Sequence, residues 1–231
     1  MKCGVVVFPG SNCDHDCYHI LKHILGLSTE WIWHKDDADL DRFDAVVLPG
    51  GFSFGDYLRP GAISRFSPVM KAVTRYANKG GHILGICNGF QILLEAGLLP
   101  GALLTNRSQK FICKPVATVV ETTETPFTRS CKKNAVLKLP IAHKQGNYFA
   151  DTETLQRMAD NGQVLLRYAD AAGQVTEAAN PNGSVGNIAA VANERKNVMG
   201  MMPHPERAAD PLWPNVDGQA IFQSLIESIA S

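Results

Sequence analysis

Residues 82–96, HILGICNGFQILLEA, are the stretch that decides the fold. The first five residues, His82–Ile86, form a short apolar run that is typical of a buried β-strand, and the residues from Asn88 to about Ala96 have the apolar spacing of a helix. Only Cys87 separates the two predicted elements, so the chain must turn sharply there. Strand, sharp turn and helix in this order form a nucleophile elbow, here with cysteine in the usual place of serine.

Two glycines flank this cysteine within the sequence GICNG, residues 85–89. Because Gly85 and Gly89 lack a Cβ atom, we expect them to let the strand and the helix approach each other closely. The positive end of the helix is expected to stabilise a thiolate at Cys87. The alternative is a small buried cysteine in a glycine-rich turn, with no chemical role.

Apolar runs alternate with amphipathic segments along the rest of the chain, which favours an α/β fold. The pattern predicts one domain, residues 1–231, with a mostly parallel sheet and an added antiparallel β portion. Further strands are predicted at residues 3–8, 29–34, 44–48, 111–120, 135–139, 163–169, 187–192 and 197–202. Further helices are predicted at residues 13–25, 63–77 and 151–159, and from Asp217 to near the end, with Asp151 and Asp217 as caps.

The charge balance excludes two classes of partner. Twenty-two basic and 22 acidic residues give a formal net charge of zero, whereas nucleic-acid and membrane surfaces attract a basic excess. The most apolar stretch, residues 83–104, contains Asn88, Gln91 and Glu95 and is not a membrane span. Six scattered cysteines without an export signal predict reduced thiols and a cytoplasmic protein. The expected partners are therefore small molecules or proteins.

A second motif, PGGF at residues 49–52, follows the predicted strand 44–48. The backbone N–H of Gly51, together with that of Asn88, could form an oxyanion hole for a tetrahedral intermediate. The alternative is a merely flexible turn. A phosphate-binding loop is excluded because no Gly-Lys-Ser/Thr follows, and GGFSFG does not have the spacing of a dinucleotide site.

A third motif, MPHPE at residues 202–206, follows the last predicted strand. His204 and Glu206 are two residues apart, so both side chains point to one side if the extended geometry continues. A carboxylate that orients an imidazole facing a thiol is the logic of a catalytic triad. The alternatives are an ordinary loop and a base at His143, which ranks lower because no carboxylate neighbours it.

In this order, the three motifs resemble those of the class I glutamine amidotransferases. Longer blocks are similar to the phosphoribosylformylglycinamidine synthase subunit I family: VVVFPGSNCDHD (5–16), LPGGFSFGDYLRPGAI (48–63), GICNGFQIL (85–93), IAHKQGNYF (141–149) and GMMPHPER (200–207). One departure is Lys144-Gln145, where members often carry Gly-Glu, and this weakens any role for those two positions.

The resemblance implies a flavodoxin-like domain with a defined catalytic set. It assigns the nucleophile to Cys87, the general base and acid to His204, and the orienting carboxylate to Glu206. It also implies oxyanion donors at Gly51 and Asn88, a substrate-binding side chain at Gln91, and binding of the amino-acid end of glutamine by residues 141–149.

The reaction implied by the resemblance is hydrolysis of L-glutamine to glutamate and ammonia. Ammonia would pass to a large synthetase subunit that binds ATP and Mg²⁺ and converts formylglycinamide ribonucleotide to the amidine, often with a small third subunit. No cofactor or metal is expected on this chain. Three alternatives remain: the glutaminase of a different amidotransferase, a DJ-1/PfpI-like redox or quality-control protein, and an inactive interaction subunit. The DJ-1/PfpI superfamily lacks the final His-Pro-Glu triplet.

Three histidines in the first predicted helix, His15, His19 and His23, have a spacing that can bind a metal. They lie opposite the apolar stripe, so a solvated helix face is the favoured interpretation. Cys13 and Cys17 lie on the apolar stripe itself and are predicted to be buried in the core.

Overall fold

The strand that precedes Cys87 is the fourth strand of a nine-stranded sheet in the computed structural model, which describes residues 1–230. In chain order the strands are β1 Lys2–Val7, β2 Ser28–Trp33, β3 Ala45–Leu48, β4 His82–Ile86, β5 Ala102–Leu104, β6 Ile112–Val120, β7 Val136–His143, β8 Asn147–Phe149, β9 Val164–Ala169, β10 Ile188–Ala192 and β11 Val198–Met201. The sheet order is β2-β1-β3-β4-β11-β10-β9-β6-β7, while β5 and β8 form a separate antiparallel pair.

This sheet has a parallel half and an antiparallel half. All pairings along β2-β1-β3-β4-β11 are parallel, and all pairings from β11 to β7 are antiparallel. Strands β3 and β4 are almost entirely buried, as expected for parallel strands covered on both faces. The predicted α/β class, with a parallel sheet and an added antiparallel portion, is therefore confirmed.

Five α-helices accompany the sheet in the described part of the chain: α1 Asp14–His19, α2 Pro68–Asn78, α3 Asn88–Glu95, α4 Thr152–Asp160 and α5 Gln219–Ala230. Helix α1 continues into a π-helical segment, Ile20–Ile24. Short 3-10 turns occur at Ser53–Asp56, Ser64–Phe66, Glu177–Ala179, Val185–Asn187 and Pro205–Ala208. Within residues 1–230, no helix is both long and apolar enough to cross a bilayer.

The predicted helix 63–77 is interrupted. A 3-10 turn, Ser64–Phe66, comes first, Ser67 is extended with ψ 143°, and α2 begins at Pro68. The physical reason is the proline, whose ring disfavours helical geometry in the residue before it.

One predicted cap is confirmed and the other is wrong. The carboxylate of Asp151 accepts the backbone N–H of Thr154 at 2.8 Å, which caps α4. Asp217 instead accepts the backbone N–H of Lys138 at 2.8 Å, and so ties the start of the last helix to β7.

The topology brings together the chain segments that carry the sequence motifs. Strands β1, β3, β4 and β11 are parallel neighbours, so their carboxyl ends lie at one edge of the sheet. In open parallel sheets, ligands bind outside this edge. The segments that follow these four strands are residues 8–13, 49–52, 87–91 and 202–206.

Candidate active site

Cys87 has the backbone geometry of a nucleophile elbow. It lies between β4 and α3 with φ 49° and ψ −103°, a combination that non-glycine residues rarely adopt and that costs about 1–3 kcal/mol. A Cβ atom on Gly85 would lie 2.4 Å from Leu93 Cδ1, and one on Gly89 would lie 1.9 Å from the carbonyl oxygen of Leu48. The predicted close approach at both glycines is confirmed.

His204 and Glu206 form a buried pair beyond the end of β11. The Nδ1 atom of His204 lies 2.6 Å from Glu206 Oε1, and both residues are almost inaccessible to solvent. The backbone N–H of His204 donates to the carbonyl oxygen of Pro140 at 2.8 Å, which fixes the loop against β7. With Nδ1 committed to the carboxylate, the Nε2 atom is the free position of the ring, and it has no hydrogen-bond partner among residues 1–230.

The backbone of Gly50 packs closely against both Cys87 and His204. A Cβ atom there would be 2.7 Å from His204 Cε1, 3.1 Å from Cys13 Sγ and 3.4 Å from Cys87 Cβ. Any side chain at position 50 would therefore displace the imidazole. The Cys87 thiol is nearly buried, and its Sγ is 3.7 Å from the carbonyl oxygen of Ala142 on β7.

The electrostatic environment of His204 favours the protonated ring. Burial lowers the pKa of His204, but the Glu206 carboxylate and the Cys87 and Cys13 thiols outweigh burial and bring that pKa well above its ordinary value. An imidazolium held between a carboxylate and a thiol is suited to donate a proton and to take one back.

Cys13 lies closer to His204 and Glu206 than its place on the apolar stripe predicted. It is buried, as predicted, but its Sγ accepts a hydrogen bond from Arg207 Nη2 at 3.1 Å. Burial raises the pKa of the Cys13 thiol. Ligand atoms of Cys13, His204 and Glu206 lie within 4.8 Å of one another, which is a donor set for a metal. The Arg207 guanidinium beside the sulfur opposes the binding of a cation there.

The two predicted oxyanion donors follow neighbouring strands. Gly51 has φ 140°, and a Cβ atom on it would lie 2.7 Å from the backbone nitrogen of Asn12, so only glycine fits. The adjacent N–H of Phe52 donates to the carbonyl oxygen of Gly10 at 3.0 Å. Asn88 opens α3, where the first N–H groups have no partner within the helix. The binding of an oxyanion by Gly51 and Asn88 stays a prediction.

Side-chain amides connect the elbow to the loops around it. Asn88 Nδ2 donates to Gln91 Oε1 at 2.9 Å, and Gln91 Nε2 donates to the carbonyl oxygen of Gln145 at 2.7 Å. The Oδ1 atom of Asn88 accepts the backbone N–H of Ser53 at 3.1 Å. Gln91 and Gln145 line one cavity of about 400 Å³, so residues 141–149 do reach the predicted substrate-binding side chain.

Comparison with known proteins agrees with this geometry. A family model described as the CobB/CobQ-like glutamine amidotransferase domain matches residues 1–225. The phosphoribosylformylglycinamidine synthase subunit PurQ of Koribacter versatilis is 54% identical over 230 residues, which cover 100% of this chain and 99% of the relative. The chain belongs to the PurQ family of glutamine amidotransferases.

Further PurQ-family relatives are similar over nearly their whole length. The PurQ subunit of Salinibacter ruber is 52% identical and that of Moorella thermoacetica 51%, each with 98% of this chain and 96% of the relative covered. The solved structure of PurLQS from Thermotoga maritima contains a chain with a TM-score of 0.86 at 44% identity, covering 98% of this chain and 97% of its own. A glutamine amidotransferase of Thermotoga maritima, at 14% identity and a TM-score of 0.62 over 100% and 99% of the two chains, shares the fold.

His143 is a poor competitor for the role of base in this PurQ-family chain. Its Nδ1 atom lies 3.1 Å from Asn106 Oδ1, an amide oxygen that carries no full charge. Burial, with a smaller contribution from His204, lowers the pKa of His143 to about 4. Among the described residues no carboxylate stabilises the protonated ring, which supports the lower rank predicted for His143 as a base.

The three histidines of the first helical segment lie on a solvated face, as predicted. His15, His19 and His23 are all exposed. The His19 Nε2 atom pairs with Asp210 Oδ2 at 2.8 Å, and the His15 ring packs 5.2 Å from the ring of Trp31. In the described part of the chain, these three residues do not form a cluster of metal ligands.

Proposed function

We propose that this PurQ-family chain is the glutaminase subunit of phosphoribosylformylglycinamidine synthase. The observation that carries the proposal is the buried His204–Glu206 pair beside the cysteine of a nucleophile elbow, in a chain of this family. The reaction is the hydrolysis of L-glutamine to glutamate and ammonia.

In the first half of the reaction, the Cys87 thiol gives its proton to His204 Nε2, and the sulfur attacks the side-chain amide carbon of glutamine. The N–H groups of Gly51 and Asn88 stabilise the negative oxygen of the tetrahedral intermediate. His204 transfers a proton from Nε2 to the amide nitrogen, the C–N bond breaks, and ammonia leaves. The product on the enzyme is a γ-glutamyl thioester.

In the second half, His204 takes a proton from water as the water oxygen attacks the thioester carbon. The C–S bond breaks, glutamate leaves, and Cys87 regains its starting state. Glu206 keeps the imidazole oriented and stabilises its protonated form in both halves, which is the role of the acidic member in such triads.

The ammonia acceptor is a separate synthetase subunit in this proposal. The name of the Thermotoga structure, PurLQS, supports an assembly with further subunits. We infer that ATP and Mg²⁺ act on the large subunit, which converts formylglycinamide ribonucleotide to the amidine, and that this chain needs no cofactor or metal. A small third subunit completes the complex. We infer a cytoplasmic location, since six unpaired cysteines suit a reducing compartment.

Covalent labelling of the whole chain tests the assignment of the nucleophile. A glutamine analogue with an electrophilic carbon in place of the side-chain amide should modify Cys87 alone, because recognition of glutamine brings that carbon to the elbow. Cys113 is exposed and serves as the internal control, since a simple alkylating agent should modify it readily. Peptide mapping that finds the glutamine analogue on another cysteine would refute the assignment.

A further inference from the structure

The segment 53–58, called the elbow loop below, has an unusual backbone. Phe54, Asp56 and Leu58 have φ values of 53°, 55° and 68°, in the left-handed region that non-glycine residues rarely occupy. Each such residue costs about 1–3 kcal/mol, so the surrounding contacts must impose the conformation. Strain of this kind concentrates at ligand-binding sites, which makes the side chains of this loop candidates for contact with a ligand.

Two hydrogen bonds fix the elbow loop next to the nucleophile. The backbone N–H of Ser53 donates to Asn88 Oδ1, the side chain directly after Cys87. The hydroxyl of Ser64 donates to the hydroxyl of Ser53 at 2.7 Å, and both residues are fully buried. The loop therefore has a defined position relative to α3.

Asp56 is the acidic side chain that this loop directs towards α3. Its Oδ1 atom lies 3.5 Å from Asn88 Nδ2, the same nitrogen that donates to Gln91 Oε1. The carboxyl group is half-buried, and burial raises the pKa of Asp56 to about 6. Asp56 thus faces the amide network that connects Cys87 to the predicted substrate-binding residue.

The two arginines that follow the elbow loop both bind Glu95. Arg59 forms two hydrogen bonds with the Glu95 carboxylate, at 2.6 and 2.8 Å, and Arg65 bonds to the Glu95 carbonyl oxygen at 3.1 Å. No ion pair involves Asp56 within residues 1–230. A partly desolvated carboxylate without a counter-charge, beside the nucleophile, is suited to receive a cationic group.

Glutamine carries such a group on its α-carbon. Four single bonds of about 1.5 Å join the carbon that Cys87 attacks to the α-ammonium nitrogen. The Asp56 carboxylate contacts the side chain of Asn88, the residue directly after Cys87, so one side chain connects this carboxylate to the elbow.

We propose that Asp56 binds the α-ammonium group of glutamine and thereby selects an α-amino acid amide over a simple amide. The inference rests on the proposed glutaminase function and adds a residue that discriminates substrates. An ammonium–carboxylate pair in a partly desolvated site is a strong, charge-assisted interaction. Asp56 would act in binding, while bond cleavage stays with Cys87 and His204.

The test compares two substrates in the assembled synthase. One is L-glutamine, and the other is 4-carbamoylbutanoate, which is glutamine without its α-amino group. Asp56→Asn should lower kcat/KM for glutamine on the order of tenfold to a hundredfold, mainly through KM, because it removes one partner of a charge pair. The same change should leave kcat/KM for the deaminated amide nearly unaltered. Asn also tolerates positive φ, so the loop conformation is kept.

Two further variants complete the design. Asp36→Asn changes an exposed aspartate in the turn after β2 and should alter neither substrate's rate. Asp56→Glu keeps the charge and should recover part of the preference for glutamine. Equal losses for the two amides in Asp56→Asn, or no loss for either, would overturn the inference. Failure of the unmodified complex to hydrolyse glutamine would instead refute the proposed function itself.

Discussion

The 2.6 Å hydrogen bond between His204 Nδ1 and Glu206 Oε1 determines which ring nitrogen is free to exchange a proton. With Nδ1 occupied, only Nε2 is available to exchange a proton with Cys87 or with the leaving ammonia. The carboxylate also offsets the cost of burying a protonated ring, because the pKa of His204 is raised despite burial. The position and the charge of the His204 ring therefore both depend on Glu206.

Substitutions at the pair should separate these two contributions. His204→Ala should reduce glutamine hydrolysis by about 10⁶-fold, since the proton-transfer group is gone. Glu206→Gln should reduce it by about 10⁴-fold, because the ring is still present but poorly stabilised. Steady-state glutamate release by the assembled complex measures both. His143→Gln is the control, and a loss there as large as in His204→Ala would move the base to His143.

The sequence motifs predicted which side chains the structure brings together better than they predicted what surrounds those side chains. Cys87, His204 and Glu206 were recognisable because each sits in a short motif at the end of an apolar strand. The position of Cys13 beside Arg207 was not recognisable from the sequence. Apolar spacing predicts that a residue is buried, but it does not distinguish a hydrophobic core from a polar site.

At the scale of elements, the junction of β4 and α3 depends on two glycines. Gly89→Ala should destabilise the chain by about 3 kcal/mol or more, because the new Cβ atom would overlap the carbonyl oxygen of Leu48, 1.9 Å away. Gly97→Ala is the matched control, since it has a positive φ but no atom within 4 Å of its Cβ position, and should cost about 1 kcal/mol. Chemical denaturation measures both, and equal costs would contradict the close-contact explanation.

The Asp56 carboxyl in the elbow loop should make the stability of the folded chain depend on pH. Because burial raises the pKa of Asp56 from 3.8 to about 6, ionisation of the carboxyl destabilises the folded state. This penalty is absent below the unfolded pKa and is complete above the folded pKa. At pH 8, Asp56→Asn should therefore raise the free energy of unfolding by about 1 kcal/mol after allowance for solvent screening. This corresponds to a rise of a few degrees in the melting temperature. The gain should shrink towards pH 4.

A thermal melt at both pH values checks this prediction, with Asp36→Asn as the control. A stabilisation of equal size at pH 8 and pH 4, or a loss at pH 8, would contradict a buried-charge penalty at Asp56. Combined with a loss of glutamine preference, a gain in stability would identify a residue kept for function at the expense of the fold.

Long or strongly patterned elements were predictable, and short or strained ones were not. Strand β4 has the predicted bounds because it is an uninterrupted apolar run that ends at a glycine-flanked cysteine. The predicted helix 63–77 is interrupted just before Pro68. Apolar periodicity alone does not predict this break, because it takes no account of the effect of proline on the preceding residue. Strands β5 and β8 have three residues each, too few to show alternation. The elbow loop has no period, so Asp56 was not identified from sequence.

At the scale of the whole molecule, the order of the parallel strands assembles the site. Cys87 follows β4, the glycine turn follows β3, and His204 and Glu206 follow β11, so three distant stretches of sequence meet because these strands are adjacent. The sequence motifs predicted this meeting through the general geometry of parallel sheets. The long antiparallel half contributes Ala142 and Gln145 from around the end of β7, and so closes the site from the other side.

The central claim is a division of labour between this chain and a synthetase partner, and one variant tests it most directly. In the assembled synthase, the rate of amidine synthesis should be measured for Cys87→Ser with glutamine and, separately, with an ammonium salt as nitrogen source. The account predicts that synthesis from glutamine is lost while synthesis from ammonium stays close to that of the unmodified complex. Loss of ammonium-dependent synthesis, with the complex still assembled, would contradict the account.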